Sequence, residues 1–197
     1  DLDEAMSASE AFIIKYKNKF LIGIAAIVIV VGGFLGYKNF ISEPNEIKAA
    51  EALFKGEQYF GNSSYEIALN GDSLGYEGFL KVADEFSGTD AGELANAYAG
   101  ICYAQLGQYE NAVKYLNKFS ADDHLVSPAI LGTMGNCYAQ LGELDKAAAT
   151  LVKAADKANS HALSPIYLIQ AGQIYEKLGK NSEAVNAYKA IKDKYFN

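Results

Sequence analysis

The sequence predicts an all-α chain: one membrane-spanning helix followed by a solenoid of helix pairs. Two observations carry this. Residues 20–37 read FLIGIAAIVIVVGGFLGY, 18 residues without a charge. As a helix that run covers roughly 27 Å, close to one hydrocarbon core. Further along, three segments align without a gap: GICYAQLGQYENA (100–112), GNCYAQLGELDKA (135–147) and GQIYEKLGKNSEA (172–184). They share G-x-x-Y-x-x-L-G-x-x-x-x-A, and Gly107, Gly142 and Gly179 lie 35 and then 37 residues apart. Units repeating at this period stack because none can bury its apolar face alone.

Taking the elements in order, residues 1–19 are expected to form an N-terminal tail and residues 20–41 the span. The chain begins at Asp1 rather than at Met, so residues upstream of this numbering are expected. Phe20, Ile24, Ile27, Val31 and Phe34 mark the apolar length of the span, and Tyr37 suits the interface. A helix apolar on every face is not the amphipathic helix of a soluble domain. A signal peptide would have a shorter apolar region and a small-residue cleavage site, whereas GYKNFISEP follows here. Lys15, Lys17 and Lys19 crowd one end and Lys38 stands alone just past the other, which predicts a cytoplasmic N-terminus. Lys48 and Lys55 count against that bias. Gly32 and Gly36 form a G-x-x-x-G pair, either a helix-contact signal or a glycine-tolerant stretch in lipid. Ser42, Glu43, Pro44 and Asn45 are expected to break the chain between span and domain.

Residues 45–90 read as a degenerate first repeat. A helix over 45–60 carries Ala49, Ala50, Ala52, Leu53 and Phe54 on its apolar side. A second over 76–86 carries Phe79, Leu80, Val82, Ala83 and Phe86. Residues 61–75 between them are expected to be a long loop.

Residues 91–197 hold three full repeats. Gly100, Gly135 and Gly172 are expected on first helices where a partner helix approaches closely, with Ala112, Ala147 and Ala184 at the same crossing on the second helices. Tyr103, Tyr138 and Tyr175, with Leu106, Leu141 and Leu178, extend the packed stripe. Gly107, Gly142 and Gly179 end the first helices in the left-handed conformation that favours glycine. Pro128 and Pro165 fall at helix starts, where a missing N–H is tolerated. The last helix has no polar cap after it. Either the C-terminus is truncated, or a partner or a second copy covers Ile191 and Phe196.

With these residues in hand, the stretch 93–197 resembles the tetratricopeptide-repeat family. It departs from the family where a bulky residue is expected early in each first helix: Asn96, Leu131 and Leu168 stand there. The resemblance implies a concave groove lined by the first helices. Its residues would be Leu94, Ala97, Ile101, Ala104 and Gln105; then Ala129, Gly132, Asn136, Ala139 and Gln140; then Ile166, Ile169, Gln173, Glu176 and Lys177. Ile101, Asn136 and Ile169 share a helix face and are expected to touch the partner. Only Lys177 is basic, so capture of a peptide carboxylate is not the expected mode. The lining suits an extended or helical segment held by apolar contact and amide hydrogen bonds. The layout of tail, span and repeat domain also resembles the YfgM-like ancillary subunits of the bacterial Sec translocon. That resemblance implies a single-pass inner-membrane protein with a periplasmic repeat domain. Its partners would be SecYEG, a membrane-anchored periplasmic chaperone or unfolded client chains. The alternative is an adaptor subunit of another envelope machine serving outer-membrane assembly, secretion or division.

Composition narrows the remaining classes. The net charge is −7 and the chain has no Arg, which removes the bidentate phosphate clamp. Residues 45–197 hold 13 Lys against 19 acids, a poor surface for nucleic acid. His124 and His161 sit one repeat apart in inter-repeat loops with no cluster of further ligands, so they are expected to be solvated and no metal is expected. Asp122 and Asp123 are expected to be polar helix-entry residues. Cys102 and Cys137 hold equivalent places in adjacent repeats, too far apart for a disulfide, and are expected to be buried thiols. No catalytic constellation or phosphate loop is present. The expectation is a scaffold with no enzyme activity and no cofactor.

Overall fold

The computed structural model describes residues 2–120 and 123–196, with side-chain surroundings from residue 15 onward except at 39 and 41. The described residues form helices joined by turns and short loops, without strands, and fall into two units, Asp1–Asn45 and Glu46–Asn197. Asp122 lies outside the described residues.

In the first unit, α1 runs Leu2–Tyr37. The expected tail is therefore helical from residue 2. Within α1, Lys15–Tyr37 is long and apolar enough to cross a membrane, and its apolar side chains are exposed from Phe20 to Tyr37. The expected break at Ser42–Asn45 is absent. A π-helical turn, Lys38–Ser42, follows α1, and α2 (Glu43–Gly61) begins directly after it. The Glu43 N–H bonds the Lys38 carbonyl, five residues back. Pro44 has no N–H to give to the ordinary ladder, and one widened turn accommodates the lost rung.

The second unit stacks helix pairs. The repeats are α5 (Asp90–Gln105) with α6 (Tyr109–Leu116), α7 (Val126–Gln140) with α8 (Leu144–Ala158), and α9 (Ser164–Lys177) with α10 (Asn181–Tyr195). Gly107, Gly142 and Gly179 close the first helices at φ +76°, +77° and +70°, as the pattern requires. The closest helix approach lies one turn beyond the alanines. A Cβ on Gly100 would stand 2.5 Å from Leu116, one on Gly135 2.7 Å from Leu151, and one on Gly172 2.4 Å from Tyr188. Ala112, Ala147 and Ala184 are buried beside those crossings.

Neighbouring repeats interlock through a second set of positions. Three residues before the crossing glycine stand Ala97 and Gly132; five before it in the following repeat stand Ile130 and Tyr167. Ala97 and Ile130 share one buried cluster with Leu116 and Met134. A Cβ on Gly132 would lie 2.5 Å from the Tyr167 ring. A small residue on one repeat thus receives a large one from the next.

The degenerate repeat pairs α2 with α4 (Phe79–Glu85), the latter three residues shorter at its start than the pattern predicts. Gly56 faces Tyr76 and Phe79 closely enough to forbid a Cβ. Ala49 and Leu53 are buried, whereas Phe54, expected on the apolar side, is 59% exposed. The expected loop 61–75 instead holds a helix, α3 (Tyr65–Asn70), whose Ala68 and Leu69 enter the core with Phe79, Val82, Ala95 and Cys102. Asp72 organises its end. Its carboxylate accepts from Tyr59 Oη, Leu74 N–H and Tyr76 N–H, and the buried Tyr76 hydroxyl donates to the Ala68 carbonyl at 2.8 Å.

Side chains cap the helix ends between repeats. Thr89 accepts from Gly92 N–H at the start of α5. Asp123 accepts from Leu125 and Val126 N–H at the start of α7, the helix-entry role expected of it. Ser164 links Ser160 N–H to the Ala155 carbonyl. The histidines are not merely solvated. His161 Nδ1 bonds the Tyr195 carbonyl at 2.8 Å and His124 Nδ1 approaches the Lys157 carbonyl at 3.4 Å. Each serves the end of a second helix.

Candidate partner groove

Groove positions recur at fixed offsets from the crossing glycine, so the three repeats can be compared place by place. One residue after it, Ile101 is half-buried while Asn136 and Gln173 are exposed. Five residues after it, Gln105, Gln140 and Lys177 are all exposed. Six before it, Leu94 is half-buried, Ala129 exposed and Ile166 51% exposed. The amides of Gln105, Asn136, Gln140 and Gln173 therefore form an exposed polar stripe across α5, α7 and α9, with Ile166 and Ile169 (43% exposed) at its C-terminal end.

Two expected lining positions are corrected. Ala97 is 3% exposed and belongs to the interlock between the first and second repeats. Gly132 is buried beneath Tyr167. Ile101 also packs against the Ala97 cluster, so it supports the groove wall more than it offers a free surface. The place three before the glycine is filled by the next repeat in the first two units and is exposed as Ile169 in the third.

The buried polar groups of the unit are quiet. Burial pushes the Cys102 thiol up to about 12 and raises that of Cys137. Both are free thiols in the core, protonated and unreactive at neutral pH. Burial, then donation to Glu57, pushes the Tyr98 hydroxyl up to about 12. Among the described residues no three His, Cys, Asp or Glu side chains gather as a metal ion would require.

The geometry defines an α-solenoid of helix pairs with an exposed first-helix face. A profile of the tetratricopeptide repeat matches residues 99–119, 128–156 and 166–192, one match on each of the pairs α5–α6, α7–α8 and α9–α10. The chain carries tetratricopeptide repeats, and arrays of this kind are scaffolds for protein–protein interaction. None of the curated proteins compared with the chain is similar enough in sequence to count as a relative.

Sequence reasoning missed one repeat signature. Gly56 and Tyr59 on α2 reproduce the G-x-x-Y of the later repeats, and Gly56 makes the same kind of close crossing. The Leu-Gly that completes the pattern elsewhere is replaced by Asn62-Ser63, where the chain turns into α3.

Proposed function

We propose that this chain is a membrane-anchored, non-enzymatic scaffold of the bacterial inner membrane, an ancillary subunit at the Sec translocon. Its repeat domain faces the periplasm and recruits a chaperone or holds emerging chains. The observation that carries the reading is an apolar helix, Lys15–Tyr37, preceding an array of tetratricopeptide repeats in one chain. The exposed amides of Gln105, Asn136, Gln140 and Gln173 supply donors and acceptors for an extended segment. Ile166 and Ile169 supply the apolar anchor.

Two measurements test it. A thiol probe that cannot cross the membrane should label Ser63→Cys from outside intact inner-membrane vesicles of periplasmic orientation and leave Ser9→Cys unlabelled; the reverse pattern sinks the topology. Ile166→Asp with Ile169→Asp should leave melting of the full chain within about 1 kcal/mol of the parent, because both side chains are half in water. The same pair should abolish photo-crosslinking from position 136 to translocon subunits in membranes, since binding would bury unpaired charges. Retained crosslinks with intact folding would move the partner surface off this face.

A further inference from the structure

On the opposite side of α5 from the groove stripe lies a cleft of ≈ 520 Å³, walled by α4, α5 and the end of α6. Asn96 lies at its floor, four residues before the crossing glycine. The equivalent residues of the later repeats are Leu131 and Leu168, ordinary packing side chains. Asn96 is only 9% exposed. Its Nδ2 donates to the Gly92 carbonyl at 3.1 Å, and its Oδ1 is one of two buried side-chain polar atoms without a partner among the described residues. A buried acceptor left unpaired costs about 1–3 kcal/mol, so the position is not explained by packing.

The cleft exists because α6, the second helix of this repeat, is short. Past Tyr188, α10 continues to Tyr195 and brings Ile191 and Tyr195 into one cluster with Leu168, which holds the Asn96 place in its own repeat. Past the equivalent Leu116, α6 stops. About two turns of covering helix are missing, while α4 lines the other wall through Leu80 and Ala83.

The chemistry of the cleft selects its occupant. One Nδ2 hydrogen is committed to the Gly92 carbonyl and the unpaired atom is Oδ1, so the ligand group that satisfies it must donate. A carboxylate or phosphate would set lone pair against lone pair. The rim balances Glu77 and Asp84 against Lys81 and Lys118, which favours neither a net anion nor a net cation. The Lys118 ammonium sits 4.4 Å from the Tyr115 ring centroid, a cation–π placement that leaves it at the rim to meet a carbonyl. The volume lies within the roughly 300–1,000 Å³ of binding clefts. We propose that this cleft binds an extended peptide segment of a partner protein, which donates a main-chain N–H to Asn96 Oδ1 and offers a neighbouring carbonyl to Lys118. It is a second peptide site, independent of the groove on α5, α7 and α9.

The test uses the full chain in detergent micelles, labelled with ¹⁵N-asparagine, and titrates acetyl-tetra-alanine-amide to several millimolar. The Asn96 side-chain amide should shift saturably. Asn96→Leu, which installs the residue of the other repeats, should melt at or above the parent temperature and lose the binding roughly tenfold or more. Lys118→Ala, a surface change that leaves the fold intact, should weaken it about threefold. Ile166→Asp with Ile169→Asp should leave it unchanged. No saturable shift at Asn96, undiminished binding by Asn96→Leu and Lys118→Ala, or stronger binding of butylammonium than of the peptide would each overturn the proposal.

Discussion

Gly100 and Gly172 occupy equivalent crossings, yet alanine should affect them in opposite directions. Placing a methyl group in a helix interior in place of glycine gains about 1 kcal/mol of helix propensity. At Gly100 the new Cβ would sit 2.5 Å from Leu116 Cγ and 2.9 Å from its backbone nitrogen. Leu116 is 1% exposed and cannot swing away, so α6 itself must move, at about 1–3 kcal/mol of overpacking. At Gly172 all three near contacts are atoms of the Tyr188 ring, the far end of a half-buried side chain that can rotate outward. Gly100→Ala should therefore lower stability by about 1 kcal/mol net, and Gly172→Ala should leave it unchanged or raise it by up to about 1 kcal/mol. For a domain of this size the two variants should melt about 4–8 °C apart at the upper end of that difference. The measurement is the thermal loss of helical circular dichroism of the full chain in micelles, where the apolar helix contributes a constant background. Equal melting temperatures, or Gly172→Ala melting lower, would refute the idea that the nature of the opposing atom sets the cost.

Other consequences are as direct. The Tyr59 hydroxyl, then the Tyr76 and Leu74 N–H groups, hold the Asp72 carboxyl below the usual carboxylate range. A depressed folded-state pKa means the contribution is fully present above the unfolded value and is lost as pH falls through the folded one. Hydrogen-exchange protection of the Leu74 and Tyr76 amides, corrected for intrinsic rates, should hold from neutrality to about pH 5 and fall below about pH 4. Asp72→Asn should abolish that acid dependence, and an unchanged profile would remove Asp72 from the account. His161→Ala should cost about 0.5–1.5 kcal/mol, the usual worth of one hydrogen bond, and fray the last turn of α10. His124→Ala, with its longer 3.4 Å contact, should cost less; equal exchange rates at both helix ends would contradict the assignment.

The sequence made the repeat units legible because their determinants are local. A glycine that must adopt positive φ, a proline at a helix start and a small residue at a crossing each sit at a fixed offset. What it hid depends on contacts between units. Ala97 and Gly132 look like groove residues when one repeat is read alone. Only the next repeat's Ile130 and Tyr167 turn them into core. The helix at 65–70 was unreadable for a related reason. Six residues are too few for periodicity to register, and α3 is held by tertiary packing instead. Gly71 and Gly78 clamp the segment, each so close to the other's backbone neighbourhood that a Cβ would lie 2.4 Å from a carbonyl oxygen. The groove amides were visible as residues, but their exposure was not. It depends on where each first helix turns its face after the interlock is satisfied.

That interlock behaves as a directional connector with a socket on one side and a plug on the other. Ala97 and Gly132 are sockets; Ile130 and Tyr167 are plugs. The third repeat presents Ile169 where its predecessors present a socket, so it inserts its plug, Tyr167, into the repeat behind and offers no socket to a repeat ahead. Modules of this array are consequently not interchangeable. Duplicating the second repeat in tandem would join socket to plug, because Gly132 of the first copy could receive the large side chain at the Ile130 place of the next. Duplicating the third would press Tyr167 of the new copy onto Ile169. A lengthened array built from third repeats would need Ile169→Gly at every internal joint, whereas one built from second repeats would need no change there.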